Sequence, residues 1–282
     1  MFVTSDLMTY GLNYDRSVAH ALRSECGLSI TEYRMLAFLS DHVSGTGPSA
    51  LARTLSTSPA TVTVSANDLA KRGLVERAGH NGRELRITKA GIDLALDADV
   101  VLAQTHEEYF SALTPQQKAV VDTGSIITNK NLDEGSRMRQ GHFFSAFETL
   151  HAFLLVEDTL TKSAHAEGLS VNGFRILFEL EQRGGQARIG AIGEHLVLSS
   201  PTMTYAVGKL EDAGLVTRGA QPGDRRSASV SITDAGRAVF ARALERVEAV
   251  YTTDIRASSA TERDSYKDAA AIVASSLRRR FT

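Results

Sequence analysis

Apolar residues recur at helical spacing in two stretches of the chain that carry the same order of predicted elements. In each stretch the apolar positions repeat every three to four residues, which is the period of an amphipathic helix. The predicted helices are 29–40, 48–55 and 59–72 in the first stretch, and 170–182, 188–196 and 200–213 in the second. Helices joined by tight turns in this order predict a helix-turn-helix in each stretch.

The two stretches are copies of one unit, offset by 141 residues. LSITEYRMLAFL at 28–39 aligns with LSVNGFRILFEL at 169–180, and the alignment continues without a gap through the next Gly-Leu-Val. Of 50 aligned positions 15 are identical, which indicates one supersecondary unit used twice. We therefore predict domains at 1–128 and 143–282, joined by a polar, glycine-containing linker at 129–142.

After its third helix each copy continues into a predicted β-hairpin, in LVERAGHNGRELRIT and LVTRGAQPGDRRSASVSIT. Alternating serine and apolar residues favour strands, and a hairpin in this place is the wing of a winged helix. The second hairpin is the longer by four residues, a difference that a surface turn tolerates. The predicted helix caps are Ser58, either Ser199 or Ser200, Thr88 and Thr233 at the N-termini, and Gly73 and Gly214 at the C-termini.

Composition bounds the class of protein. The 282 residues are 43% apolar and 23% charged, as in globular proteins, and are enough for about two domains. The chain has no apolar run of membrane-spanning length and no export signal at its start, so we expect a cytoplasmic protein without a membrane partner. Its net charge of −2 means that binding to a polyanion requires local basic patches.

At this point the residues resemble the MarR family of transcriptional regulators. The resemblance rests on the Leu-x-x-x-Gly-Leu-Val join, the wing tip Asp224-Arg225-Arg226, and the Ser-Ile-Thr-Asp-Ala-Gly exit into a long helix. It implies a mainly α fold with small β wings, in which long terminal helices join two winged helix-turn-helix domains. Because family members are usually homodimers of chains half this long, it also implies a monomeric pseudo-dimer.

The resemblance implies a DNA-binding transcriptional regulator, a repressor of a pseudo-palindromic operator, released by a small aromatic effector. The alternative is a winged-helix scaffold that has lost specific DNA reading and serves as a protein-interaction or ligand-binding module. The sequence contains no glycine-rich phosphate loop and no other enzyme motif. We therefore predict no enzyme activity, no cofactor and no metal site.

The second copy carries the fuller set of candidate DNA contacts. Residues near the start of a recognition helix read base edges in the major groove, and wing arginines suit the narrow minor groove. The candidates are Ser200, Thr202, Thr204 and Tyr205 for bases, Lys209 for phosphate, and Arg225 and Arg226 for the minor groove, with Asp224 orienting an arginine.

The first copy departs from the family pattern. Val64 and Asp68 stand where the family usually carries arginines, and the wing is shortened to Asn81-Gly82-Arg83. We expect Asp68 to be an unpaired carboxylate that repels phosphate. The remaining candidates in this copy are Thr61 and Thr63 on the helix, and a basic patch of Lys71, Arg72, Arg77, Arg83, Arg86 and Lys89. This patch either holds phosphates with little base discrimination or is an ordinary charged surface.

Two further features leave alternatives open. The phenylalanines of the helix that opens the second copy either line a ligand pocket or pack in the core; they are Phe143, Phe144, Phe147 and Phe153. The lone Cys26 excludes an internal disulfide framework. Cys26 precedes a predicted helix, and a helix dipole that acted on the thiol would lower its pKa. The alternative is that Cys26 is an ordinary buried cysteine.

Overall fold

The computed structural model of the protein describes residues 3–42, 44–79, 82, 84–132, 144–221, 224–255 and 259–281. The first half contains helices α1 (Ser5–Ala21), α2 (Ile30–Asp41), α3 (Pro48–Thr54), α4 (Pro59–Lys71), α5 (Lys89–Tyr109) and α6 (Pro115–Leu132), and strands β1 (Val75–Ala78) and β2 (Glu84–Ile87). A π-helical turn, Leu22–Cys26, follows α1.

The second half repeats this order of elements and adds a short strand after its second helix. It contains helices α7 (Phe144–His165), α8 (Val171–Gln182), α9 (Ile189–Leu196), α10 (Ser200–Asp212), α11 (Asp234–Ile255) and α12 (Ala260–Phe281), and strands β3 (Gln186–Arg188), β4 (Val216–Gln221) and β5 (Asp224–Ile232). The six helices predicted for the two helix-turn-helix motifs are confirmed, with bounds that agree to within one residue at each end. Among the described residues, every helix is too short or too polar to span a membrane.

Local signals determine where the two recognition helices, α4 and α10, begin and end. The Ser58 hydroxyl accepts from the Thr61 amide, and the Ser199 hydroxyl accepts from the Thr202 amide, so Ser199 rather than Ser200 is the N-cap. Gly73 and Gly214 follow the last turns with φ of 69° and 70°, a left-handed conformation in which glycine is least strained. The predicted caps are therefore confirmed at both ends.

The wings are antiparallel hairpins at equivalent places in the two copies. In the first copy β1 pairs with β2 from Val75 opposite Ile87 to Ala78 opposite Glu84. In the second copy the strand order is β3-β5-β4, so that β5 also pairs with β3. The counterpart of β3 in the first copy is reduced to a single bridge between Thr46 and Leu85.

The helix that follows each wing packs closely against the end of the recognition helix. A Cβ added to Gly236 would lie 2.1 Å from the carbonyl oxygen of Leu215, and one added to Gly91 would lie 2.1 Å from that of Leu74. Next to this contact Thr233 caps α11, as Thr88 caps α5. Only glycine permits this approach, which positions wing and recognition helix relative to each other.

The chain divides into two compact units that draw on both halves of the sequence. Unit one comprises Met1–Asn13, Ala112–Gly124 and Val156–Thr282, and unit two comprises Tyr14–Ser111 and Ser125–Leu155. The second copy thus shares a unit with the first turns of α1, and the first copy shares one with the first half of α7.

The linear boundaries at 1–128 and 143–282 describe the sequence repeat and stay a prediction. Of the predicted linker at 129–142, residues 129–132 continue helix α6, and the rest lies outside the described residues.

Candidate nucleic-acid interface

Helix α10 has one buried face and one exposed face. Met203, Ala206, Val207 and Leu210 are buried in the core of unit one. The opposite face exposes Ser200, Thr204, Tyr205 and Lys209, whereas Thr202 is half-buried. Tyr205 is 70% exposed, and the Lys209 Nζ lies 5.8 Å from the centre of its ring, within cation–π range.

Helix α4 has the same two-faced arrangement in unit two. Its buried residues are Val62, Ser65, Ala66 and Leu69. The exposed face carries Thr61 and Thr63, and Val64, at the position that Tyr205 occupies in α10, is also 70% exposed. Each copy therefore presents a solvent-facing helix surface beside a wing.

The hydroxyls of three candidate threonines, Thr61, Thr63 and Thr202, have partners near the starts of their helices. The Oγ1 atoms of Thr61 and Thr202 lie 2.8 Å from the N-cap hydroxyls of Ser58 and Ser199. The Thr63 hydroxyl donates to the Pro59 carbonyl oxygen at 2.8 Å. A hydroxyl that has donated its one hydrogen can still accept a hydrogen bond. Such a threonine can therefore contact a donor on a base edge but no longer an acceptor. Their roles in base reading remain predictions.

An arginine on the first strand of each wing contacts the recognition helix of the same copy. Arg218 Nε lies 3.0 Å from a Glu211 carboxylate oxygen, and its Nη2 donates to the Thr204 carbonyl oxygen at 3.3 Å. In the first copy the equivalent Arg77 donates to the Asn67 side-chain oxygen at 2.9 Å. The two arginines occupy the same position of the repeat, and this identity is the sequence signal for the contact. Arg218 was not among the residues predicted from the sequence.

The prediction that Asp68 is unpaired is wrong. Asp68 lies 3.6 Å from Arg72, whose guanidinium also lies 3.8 Å from Glu32 and donates to the Gly27 carbonyl oxygen at 3.1 Å. Arg72 thus offsets the Asp68 carboxylate and is held toward the start of α2. The contact of Arg72 with phosphate stays a prediction. To bind phosphate, the guanidinium would have to give up its contacts with Asp68, Glu32 and Gly27.

The other basic candidates are only partly described. Lys71 is exposed, and Arg86 lies 3.7 Å from Glu76 on the paired strand. Asn81 and Arg83 lie outside the described residues. The wing-tip residues are placed at the start of β5 without their side chains being described; they are Asp224, Arg225 and Arg226. The roles predicted for the wing tips stay predictions.

The described phenylalanines of α7 belong to a packed aromatic cluster in unit two. Phe147 and Phe153 are buried, with ring centres 6.1 Å from Tyr33 and 5.2 Å from Tyr14. These contacts support the core-packing reading for both rings. Phe143 lies outside the described residues, and the side chain of Phe144 is not described. A ligand contact from this helix stays a prediction.

The Cys26 thiol is partly buried at the end of the π-helical turn. Its pKa is raised, first by burial and then by the negative charges of Glu25 and Asp97. This direction is opposite to the one that a helix dipole would produce, so it supports the reading of an ordinary cysteine.

Unit one contains a buried carboxylate network that attaches α9 to α8. Glu179 is 2% exposed, and its two oxygens lie 3.2 Å from His195 Nε2 and 2.9 Å from Arg183 Nε. Burial raises the pKa of Glu179, but the interactions with His195, the Ser5 hydroxyl and Arg183 outweigh it and lower the pKa to about 2. The first copy has no such network, because Phe38 stands at the position of Glu179.

These features define the class of protein: the chain is a tandem of two winged helix-turn-helix domains. The sequence model of the MarR family matches it twice, at residues 27–84 and 167–227. Each match covers the helix-turn-helix and part of the wing, so both copies are similar to this family.

The similar proteins are named as regulators. The chain is 36% identical over 85 residues to the HTH-type transcriptional regulator MhqR of Bacillus subtilis, covering 30% of this chain and 58% of that one. It is 35% identical over 94 residues to PecS of Dickeya dadantii, covering 33% and 57%. A MarR-family regulator structure from Silicibacter pomeroyi is 28% identical over 43% of this chain and 85% of that chain, with a TM-score of 0.38.

The match thus spans somewhat more than half the length of these curated relatives. The comparisons group the two domains with transcriptional regulators rather than with enzymes.

Proposed function

We propose that the chain is a transcriptional regulator that binds duplex DNA through α4 and α10. The observation that carries the proposal is the exposed face of each recognition helix, whose opposite face is buried and whose end adjoins a wing. A helix presented in this way suits the major groove, and a wing beside it suits the neighbouring minor groove. The cytoplasm is the compartment in which such a protein meets its operator.

The two copies contribute unequally to binding. Lys209 is exposed on α10 and supplies positive charge toward phosphate, whereas Asp68 occupies the same position on α4. The pairing of Asp68 with Arg72 reduces its repulsion and also occupies a cation that could hold phosphate. The operator is therefore an imperfect palindrome whose half facing the second copy is the better defined.

Regulation by a small aromatic effector completes the proposal, with repression as the default state. The two recognition helices of a dimeric reader engage half-sites about 34 Å apart, so a ligand that changes their separation changes DNA affinity. The aromatic class of the effector comes from the family resemblance, because the described rings of Phe147 and Phe153 pack in the core of unit two.

The first experiment is selection of bound fragments from a genomic library and from a random-sequence duplex library. Enrichment of a motif, followed by affinity measurement at several salt concentrations, supports the proposal. Lys209→Ala should reduce the salt slope by about one, whereas the control Lys162→Ala, which removes an exposed lysine paired with Asp158, should leave it unchanged.

Failure to enrich any motif would favour the scaffold alternative. Repression would then be tested with a reporter placed behind the selected motif. The effector would be sought by adding small phenols and aromatic acids to the bound complex. A selected operator whose affinity no compound changes would remove the effector from the proposal and leave DNA binding intact.

A further inference from the structure

The two recognition helices differ at the position where both are most exposed. Among the residues that the structure describes, Val64 and Tyr205 are the most exposed of the large apolar side chains, at 70% each. They occupy the same position in the repeat. An exposed valine contributes little to the stability of a helix, because its branched side chain is restricted there and gains no packing. The fold of unit two therefore does not explain Val64.

The polar groups around Val64 are engaged with neighbours within the unit. The Thr63 hydroxyl donates to the Pro59 carbonyl oxygen, and the Asn67 side-chain oxygen accepts from Arg77. Asp68 is paired with Arg72. One turn before Val64 the helix exposes Ala60 and Thr61, and the Thr61 hydroxyl lies 2.8 Å from that of Ser58. The middle of this helix face thus presents methyl groups, with its nearest hydrogen-bonding groups already in contacts.

We propose that Val64 reads the C5 methyl group of a thymine in the half-site that faces the first copy. Thymine presents a methyl group in the major groove, and apolar side chains discriminate it by contact. The inference rests on the proposed DNA-binding function and adds a specificity-determining residue to it. It gives the first copy a means of base discrimination that does not require the arginines it lacks.

The second copy reads the equivalent base pair by different chemistry. Tyr205 carries a phenolic hydroxyl, and Lys209 lies over its ring. A hydroxyl forms hydrogen bonds with either donor or acceptor edges, and the ring stacks or packs against a base. The two half-sites therefore differ at this base pair, and the thymine requirement belongs to one of them.

The test replaces each thymine of the selected operator, one at a time, by deoxyuridine, which lacks the C5 methyl group. Affinity is measured for the wild-type chain, Val64→Ala and Tyr205→Ala on the same duplexes at one salt concentration. Val64→Ala changes an exposed helical residue to the best helix former, so folding is preserved. Circular dichroism of each variant verifies this.

We expect one or two thymines in a single half-site whose replacement weakens wild-type binding about fourfold, the effect of losing one buried methyl-sized group. Val64→Ala should bind the unmodified operator more weakly by a similar factor. Its affinity should not fall further when those thymines are replaced by deoxyuridine, whereas replacement of any other thymine should have the same effect as in the wild-type chain. Tyr205→Ala should keep the wild-type response to uridine there.

A Val64→Ala variant with the wild-type uridine profile at every thymine would overturn the assignment while leaving the proposed function intact. Affinity equal to wild type for Val64→Ala on all duplexes would overturn it as well. Absence of any selected operator for the wild-type chain would overturn both proposals.

Discussion

Replacing Glu179 by glutamine should destabilise unit one strongly near pH 7 and progressively less in acid. The perturbation keeps the shape of the side chain and removes the charge that His195 and Arg183 contact at 3.2 and 2.9 Å. Because Glu179 is 2% exposed, water cannot replace these contacts. The expected loss is therefore much larger than that of a surface ion pair.

The magnitude follows from the pKa of Glu179, which falls from the ordinary 4.5 to about 2 in the folded chain. Each tenfold change in acid dissociation is worth about 1.4 kcal/mol, so the ionised group contributes about 3 kcal/mol to the free energy of unfolding. A lowered folded-state pKa means that this contribution is complete above pH 4.5 and disappears as the pH falls toward about 2.

Urea unfolding at about pH 7 and about pH 3 measures this difference, with hydrogen exchange in α8 and α9 reporting on unit one. The matched control is Glu181→Gln, two residues away, which removes an ion pair with Arg237 between half-exposed side chains. This control should cost about 0–1 kcal/mol. Equal losses from the two substitutions, or a Glu179→Gln loss as large at pH 3 as at pH 7, would refute the reasoning.

Three further predictions concern packing, DNA contact and assembly. Gly236→Ala should lower the free energy of unfolding by about 1–3 kcal/mol or more, because its Cβ would meet the Leu215 carbonyl oxygen at 2.1 Å, whereas Gly190→Ala, with nothing within 4 Å, should be neutral or stabilising in thermal unfolding. Arg226→Ala should weaken operator binding by about 1–3 kcal/mol and Arg83→Ala clearly less, and equal losses at one salt concentration would show symmetric reading. Light scattering at low concentration should report the mass of one chain, and a persistent dimer would contradict the monomeric pseudo-dimer.

Much of the local fold follows from the sequence because its signals act over a few residues. Ser58 and Ser199 cap helices by accepting an amide three residues on, and Gly73 and Gly214 end the same helices in a left-handed conformation. The offset of 141 residues then identifies equivalent positions, so the repeated helix-turn-helix and wing were predictable without a structure. The family resemblance supplied DNA binding, and the individual contacts remain to be tested.

Tertiary packing decided what depends on residues distant in the chain. The pairing of Asp68 with Arg72 lies within one helix turn, but the position of Arg72 is set by Gly27 and Glu32 on another segment. Strand β3 forms because its backbone groups pair with those of β5, more than forty residues further along the chain. The low pKa of Glu179 depends on His195 from a neighbouring helix. Periodicity indicates which face of a helix is buried, but which side chains meet there depends on how the helices pack, and that is a property of the folded chain.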